Sequence, residues 1–535
     1  MKRSPFYASC AVLAVLAAVG GALHLVQGGL HWGGFLAIAF FYTVVFYLGV
    51  SATQRGPVPI QEMLLAGRTL PLGTGLLTMT ATWVGGGFIN GTAESVSTSG
   101  LIWTQAPWGY AMSLVVGGLI FARPMRRHNF ITLLDPLEDR FGRRMSGLLY
   151  IPAVLGEIFW TAAILAALGT TFGFLLGIDF SSSIILSALI AILYTSIGGL
   201  RAVARTDVFQ LIILLAGLLV VVALVLPQGG PAKLYTDYSE AMGERARLFP
   251  SPEMGHSFFL WCDQALLLVF GGIPWHVYFQ RVLSSRDEDA ARWLSIGAGG
   301  LCLVAAVPPV LIGMISATTD WAAMGVEEPV PSVIALPHVL KHLAPPAIAT
   351  LGLGALAAAV MSSVDSSILS ASSMGVWNIY RPLFSRGDHP AGLDRIVRRL
   401  IWIVGIAATF LALRVQSVYT LWFLCSDLVY CVLFPQLVTA LFDRKANAPG
   451  SLAGFVVAAA LRLGAGEAAL GLPTSIPYPL RDADGTLNFP FRSFAMLSGL
   501  ITIVLVSRWT QKLAPARPLI TREILSIRPE GCDAV

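Results

Sequence analysis

Apolar runs of about twenty residues recur along most of the chain, separated by short stretches rich in Arg, Gly and Pro. A hydrocarbon core roughly 30 Å thick requires about 20 apolar residues of each spanning helix. The pattern therefore predicts helices over 7–26, 32–53, 71–95, 106–123, 148–176, 181–198, 206–227, 256–281, 292–317, 345–375, 399–415, 418–443, 448–464 and 492–510. Longer connections are expected at 228–255, 318–344, 376–398 and 465–491. The fold class expected is an all-α polytopic membrane protein with thirteen or fourteen transmembrane helices. Residues 1–30 read as an extra N-terminal apolar segment, a signal anchor or a signal peptide behind Lys2 and Arg3. The membrane domain is expected over 31–510, and a polar tail over 511–535.

Composition narrows the class. Of 535 residues, 56% are hydrophobic and 12% charged, against about 25% charged in a soluble domain. That is too little charge to cover a water-facing surface, which excludes an ordinary soluble enzyme and a disordered scaffold. The 53 glycines follow no three-residue period, which excludes a collagen-like fibre. The six cysteines lie mostly inside apolar runs without metal-type spacing and read as small buried hydrophobes.

The net charge of +5 comes from 35 Lys and Arg against 30 Asp and Glu. In a membrane protein this balance reports orientation rather than nucleic-acid binding. Alternating the loops places 27 of the 35 basic residues on one side, including the cluster Arg123, Arg126, Arg127, Arg140, Arg143 and Arg144. One missed helix would scramble that bias. The basic side is expected to be cytoplasmic, with the C-terminus on it.

Two apolar segments are interrupted. The first contains Thr82-Trp83-Val84-Gly85-Gly86-Gly87, and the second, five helices later, contains Phe270-Gly271-Gly272-Ile273-Pro274-Trp275. Five is odd, so the two segments run in opposite directions across the bilayer. Such runs of glycine, or glycine with proline, break a helix. Broken backbone is tolerated at membrane depth only where it is buried in protein or lines a cavity. A matched, inverted pair of breaks is the mark of a repeat transporter with its site at the midplane. The first repeat is expected over about 71–227 and the second over about 256–443. A sequon at Asn90-Gly91-Thr92 falls inside the membrane and is discounted.

Each break carries a tryptophan, Trp83 and Trp275, and neighbouring helices carry Tyr110 and Trp160. Aromatic rings suit a quaternary ammonium, which donates no hydrogen bonds and binds the negative faces of π systems. The plain alternative is that these rings only pack, or belong to interfacial belts.

The run Gly75-Leu76-Leu77-Thr78-Met79-Thr80-Ala81-Thr82-Trp83-Val84-Gly85-Gly86-Gly87, with Ile89-Asn90-Gly91-Thr92-Ala93-Glu94, carries a resemblance. So do Gly156-Glu157-Ile158-Phe159-Trp160, Gly271-Gly272-Ile273-Pro274-Trp275 with Tyr278-Phe279-Gln280-Arg281, Val360-Met361-Ser362-Ser363 with Asp365-Ser366-Ser367, and Ser426-Asp427-Leu428-Val429-Tyr430. Over about 30–510 the chain resembles the choline-transporting branch of the sodium/solute symporter family. The resemblance implies a LeuT-like five-plus-five inverted repeat and uptake of choline, or a related quaternary ammonium, by sodium symport. It puts the substrate cage on Trp83, Tyr110, Trp160 and Trp275. It puts a sodium site on Ala81, Val84, Ala359, Ser362 and Ser363, and ties Asp207 to a second sodium site.

Read from the residues alone, Ser362 and Ser363 could instead bond back to their own helix. Asp207 reads equally as a helix-start carboxylate favoured by the dipole. Intramembrane acids are expensive and usually functional, which makes Asp365, near the two serines, and Glu157, three residues before Trp160, further candidates. Asp263, near a helix start, reads as a cap. Chloride dependence is a property of the relatives for which no motif is assignable here. The chain departs from the relatives in its extra N-terminal segment and in lacking a long tail with trafficking signals. That, with Arg favoured over Lys and abundant Ala, points to a bacterial-type carrier in the plasma (inner) membrane.

Betaine or proline are alternative substrates for the same fold. Betaine's carboxylate would want a nearby cation, and neither break contains Lys or Arg. An intramembrane enzyme is disfavoured by the absence of His-Glu-x-x-His and of any protease pattern. A sensor input domain is disfavoured because no kinase-like region follows.

Overall fold

The computed structural model describes residues 31–52, 60–196, 200–326, 334–384, 392–415, 417–482 and 487–522, with scattered positions between 9 and 25. Of the expected helix over 7–26, eleven scattered positions are described and each is helical, and the rest lie outside the described residues.

The helix α1 (Trp32–Ala52) and a short helix over Ile60–Leu65 precede two groups of five. The first group opens with the half-helices α2 (Leu72–Trp83) and α3 (Gly86–Thr98), followed by α4 over 106–127. A short α5 (Asp135–Phe141) lies in the next connection. Then come α6 (Arg143–Leu176), α7 (Phe180–Thr195) and α8 (Leu200–Val225). After the connecting helix α9 (Gly230–Met242), the second group opens with the half-helices α10 (Ser257–Gly271) and α11 (His276–Ser284), followed by α12 (Glu288–Thr318). The connecting helix α13 (Ala335–Leu343) precedes α14 (Pro346–Phe384), α15 (Leu393–Arg414) and α16 (Val418–Phe442). A hairpin of α17 (Ala448–Gly464) and α18 (Phe491–Thr510) ends the bundle.

Among the described residues nine helices are long and apolar enough to cross a membrane, and α7 and α17 contribute shorter apolar stretches. With the broken pair α2–α3 and with α4 they make thirteen crossing helices. The polarity is inverted relative to a soluble protein. Ile212, Leu219, Phe410 and Leu505 are exposed as a lipid-facing skin, while Thr78, Asp207, Arg281, Ser363 and Asp365 are buried. In a bilayer, polar groups gain by turning inward to find partners.

The inverted repeat is visible in which helices touch. The half-helix α2 packs on α12, and its counterpart α10 packs on α4. Contact of α3 with α6 is mirrored by α11 with α14, α8 on α14 by α16 on α6, and α6 on α7 by α14 on α15. The four inner helices α6, α8, α14 and α16 thus enclose the two breaks.

Residues grouped by the charge count also meet on one face. Arg68 donates to the carbonyls of Leu283 (3.1 Å) and Asn129 (2.8 Å), and Arg126 to that of Ser285 (2.8 Å). Arg140 reaches the Arg517 carbonyl (2.6 Å), and Arg522 pairs with Asp139 at 3.1 Å. Segments around 68, 128, 285 and 520 therefore share this basic face. The opposite face gathers Arg462, Glu467, Arg492 and Asp263.

Candidate substrate and ion site

α2 stops at Trp83 because Val84 (φ −83°, ψ 60°) and Gly85 (φ −100°, ψ −162°) leave helical geometry, and α3 restarts at Gly86. A helix end leaves its last carbonyls without intrahelical partners. Two of them are met from α14: Ser363 Oγ donates to the Thr82 oxygen at 3.0 Å, and Ser362 Oγ to the Ala81 oxygen at 3.4 Å. The two serines thus bridge to the break instead of serving only their own helix. Val84 is buried. The side chain of Ala359, one turn earlier on α14, lies outside the described residues.

Each glycine of the triplet faces a different wall. A Cβ on Gly85 would lie 2.0 Å from Ser363 Oγ, one on Gly86 2.6 Å from Ala167 Cβ, and one on Gly87 2.9 Å from Trp422 Cγ. The break is therefore clamped between α14, α6 and α16. Carbonyl and hydroxyl oxygens converge here, the neutral hard donors suited to Na⁺.

The second break is satisfied differently. Trp275 is extended (φ −111°, ψ 133°) ahead of α11, and its indole Nε1 donates to the Gly271 carbonyl at 2.7 Å. Gly271 and Gly272 approach α16 and α4: added Cβ atoms would lie 2.9 Å from the Ser426 oxygen and 2.4 Å from Ser113 Oγ.

Three of the four expected cage rings form a continuous chain. Trp160 lies 6.1 Å from Trp83 and 5.5 Å from Trp275, centroid to centroid, and all three rings are buried. Tyr110 stands next to a second pair instead. It stacks on Trp422 at 5.0 Å, and Trp422 in turn meets Phe88 at 5.8 Å. The Tyr110 hydroxyl donates to the Trp422 carbonyl (3.0 Å) and shares a hydrogen bond with Ser426 Oγ (2.6 Å). At Gly156 an added Cβ would touch Trp275 on one side and, on α16, Val429 and the Cys425 carbonyl on the other.

Trp422 was not singled out by sequence reasoning. Its only local signal is the aromatic spacing Tyr419, Trp422, Phe423, which on one helix reads as core.

The intramembrane acids are each placed by a specific donor. Asp207 lies two turns into α8, which begins at Leu200, so the helix-start reading is corrected. Its Oδ2 accepts from Thr78 Oγ1 of α2 and from Arg281 Nη2 of α11 (3.4 Å), and Arg281 Nη2 also donates to Ser366 Oγ at 2.6 Å. Asp207 and Arg281 are both fully buried, and Asp207 Oδ1 has no partner among the described residues. Glu157 accepts from Ser370 Oγ (2.5 Å) and Ser367 Oγ (3.2 Å) of α14, one turn of α6 below Trp160. Asp365 accepts from Thr195 Oγ1 of α7 at 2.7 Å, whereas Ser362 and Ser363 reach the carbonyls of α2. Asp263 does act as a cap, but of another helix: it accepts from the amides of Arg492 (3.3 Å) and Ser493 (2.7 Å) at the start of α18.

A profile of the sodium:solute symporter family matches residues 63–458. The chain belongs to this family. It is 46% identical over 497 residues to High-affinity choline transporter 1 of Drosophila melanogaster, covering 90% of this chain and 78% of the relative. It is 44% identical over 494 residues to High affinity choline transporter 1 of Homo sapiens, covering 89% and 85%. A substrate-bound, outward-open structure of a Na⁺-coupled sialic acid symporter superposes with a TM-score of 0.74 at 19% identity, covering 91% of this chain and 98% of that one. The symporter thus has the LeuT-like five-plus-five fold. As a member of this family it is a multi-pass, sodium-coupled transporter and not an enzyme.

Proposed function

We propose that this symporter imports choline by alternating access, with the quaternary ammonium held among Trp83, Trp160, Trp275 and Tyr110. The observation that carries the reading is the unbroken chain of buried rings Trp83–Trp160–Trp275, which joins both helix breaks through the helix between them. Each desolvated cation–π contact is worth about 2 kcal/mol. Four rings then supply on the order of 8 kcal/mol, which corresponds to micromolar affinity. The choline transported by the relatives supports the same substrate. Betaine is disfavoured because Arg281, the buried cation on the half-helix that follows Trp275, is engaged by Asp207 and Ser366.

Sodium is assigned to the oxygens of Ala81 and Val84 at the first break, Ala359 on α14, and the Ser362 and Ser363 hydroxyls. A second sodium is assigned to Asp207, where the unpartnered Oδ1 supports the reading and where the ion competes with Arg281 for Oδ2. By the positive-inside rule, the basic face and with it the C-terminal segment are assigned to the cytoplasm; the membrane assigned is the plasma membrane, the inner membrane in a bacterium. Choline's own charge adds to the drive, since moving one charge down 100 mV yields about 2.3 kcal/mol.

Uptake of labelled choline into proteoliposomes, with and without an inward sodium gradient, tests the assignment. Saturable uptake without sodium would remove the coupling, and no uptake would remove the substrate. Replacing chloride by gluconate in the same vesicles tests chloride dependence, and competition by betaine or proline tests the alternative substrates.

A further inference from the structure

We propose that Glu94 is a positioning residue that latches the outer side of the site by capping the helix that carries Trp422. The proposal rests on the transport reading above and on its assignment of the basic face to the cytoplasm.

Glu94 lies two turns into α3 and is buried. Its Oε1 accepts from Ser417 Oγ at 2.7 Å, and its Oε2 from the amide of Tyr419 at 3.1 Å. Ser417 is itself the cap of α16, accepting from the Thr420 amide at 3.1 Å. The first amides of a helix need acceptors, and a cap normally comes from the residues just before the helix. Here part of the cap comes from a helix in the other repeat. The carboxylate is also on the favourable, positive end of the α16 dipole.

One turn further along α16 is Trp422, which stacks on Tyr110 and meets Phe88 of α3. The half-helix α3 and the helix α16 are therefore joined at two levels: by Glu94 at the rim, and by Phe88 and Gly87 against Trp422 at the depth of the site. Separating α3 from α16 must break the Glu94 cap first. It then uncovers Tyr110 and the neighbouring Cys425, whose sulfur lies 3.6 Å from the Tyr110 hydroxyl. A released carboxylate is readily hydrated, and it leaves a negative charge at the mouth through which a cation enters.

The repeat supplies a counterpart at the inner end. Internal symmetry relates α3 to α11 and α16 to α8, and there Arg281 of α11 meets Asp207 of α8. Each half-helix that points away from the site thus carries one charged side chain joining it to the last helix of the opposite repeat. The signs are opposite: an acid on a helix start outside, a base on an acid inside. Both contacts are closed in this structure, and alternating access requires that they open in turn.

The native Cys425 reports on the outer contact. In a background with the other five cysteines replaced by serine, the reagent is a trimethylammonium-ethyl methanethiosulfonate, itself a quaternary ammonium. With sodium and choline present, Glu94→Ala should speed Cys425 modification roughly tenfold, the scale of a lost helix cap. It should lower kcat for uptake more than it raises KM, and Glu94→Asp should restore part of the protection. Ser417→Ala removes a partner on the other helix and should act in the same direction with a smaller effect, which keeps the test decisive if Glu94→Ala does not fold. Unchanged Cys425 reactivity in Ser417→Ala, and in Glu94→Ala where it folds, with choline uptake retained, overturns the latch and leaves the transport reading standing. Absence of choline uptake in the unmodified protein overturns both.

Discussion

The two helix breaks occupy equivalent places in the two repeats, yet different chemistry completes them. At the first, the freed carbonyls of Ala81 and Thr82 face the hydroxyls of Ser362 and Ser363. At the second, the Gly271 carbonyl is taken up by the indole of the adjoining Trp275. One break therefore leaves a cluster of oxygens fit for a small hard ion, and the other closes on itself and offers a ring. Each contributes one tryptophan to the same chain through Trp160. The comparison teaches that the inverted repeat conserves where backbone is broken, while the side chain facing each break decides what it binds.

The contrast can be broken most severely at Gly85. A Cβ there lies 2.0 Å from Ser363 Oγ, while one on Gly271 meets the Ser426 carbonyl at 2.9 Å. Gly85→Ala should abolish sodium-dependent uptake by protein that still reaches the membrane, and Gly271→Ala should retain a measurable fraction. Equal losses would erase the difference between the breaks.

The ring chain comes next. Trp83→Ala and Trp275→Ala should each weaken choline binding by about thirtyfold, the factor for a ~2 kcal/mol desolvated cation–π contact. Retained affinity in equilibrium binding to either purified variant would sink the cage. A smaller effect separates ion from substrate: Ser363→Ala should raise the sodium concentration for half-maximal uptake by roughly tenfold, whereas Ser426→Ala, beside the second break, should leave it unchanged. A sodium titration of initial rates decides between them.

The smallest effect concerns the flank of the first break, where α13 packs against α3. Burial, followed by the charges of His342 and Lys341, lowers the pKa of His338 to about 4, from an ordinary 6.5. The folded state prefers the neutral ring, so the unfolded segment binds the proton more readily. The stabilisation is complete above pH 6.5 and lost as pH falls towards 4. Hydrogen-exchange protection of α13 should decline across that window, and His338→Phe should flatten the decline.

Much of this fold was legible before any coordinates. The spans from 32–53 onward, the odd number of helices between the breaks and the grouping of basic segments around 68, 128, 285 and 520 reappear, because each follows from the transfer energy of a local apolar run or a local cluster of charge. The short helices α9 and α13, inside predicted connections, were not legible: they are too brief and too polar to register as spans. The site was half legible. Trp83 and Trp275 announce themselves by sitting in the breaks. Trp422 sits in an unbroken helix, and nothing local distinguishes it from core. Asp207 could be identified as an intramembrane acid, but its partners Thr78 and Arg281 lie 129 and 74 residues away. Asp263 was correctly read as a cap, and only the fold showed that the helix it caps is α18.

By itself, the sequence determined that this is a membrane protein, where it crosses, where its helices break and which loops share a face, since bilayer thickness and charge act on residues close together in the chain. Tertiary structure alone decided which rings touch, which hydroxyls meet the open carbonyls, and that Glu94 and Arg281 tie each half-helix to the opposite repeat. Those outcomes depend on how helices hundreds of residues apart pack and rotate against one another, and no local pattern encodes that meeting.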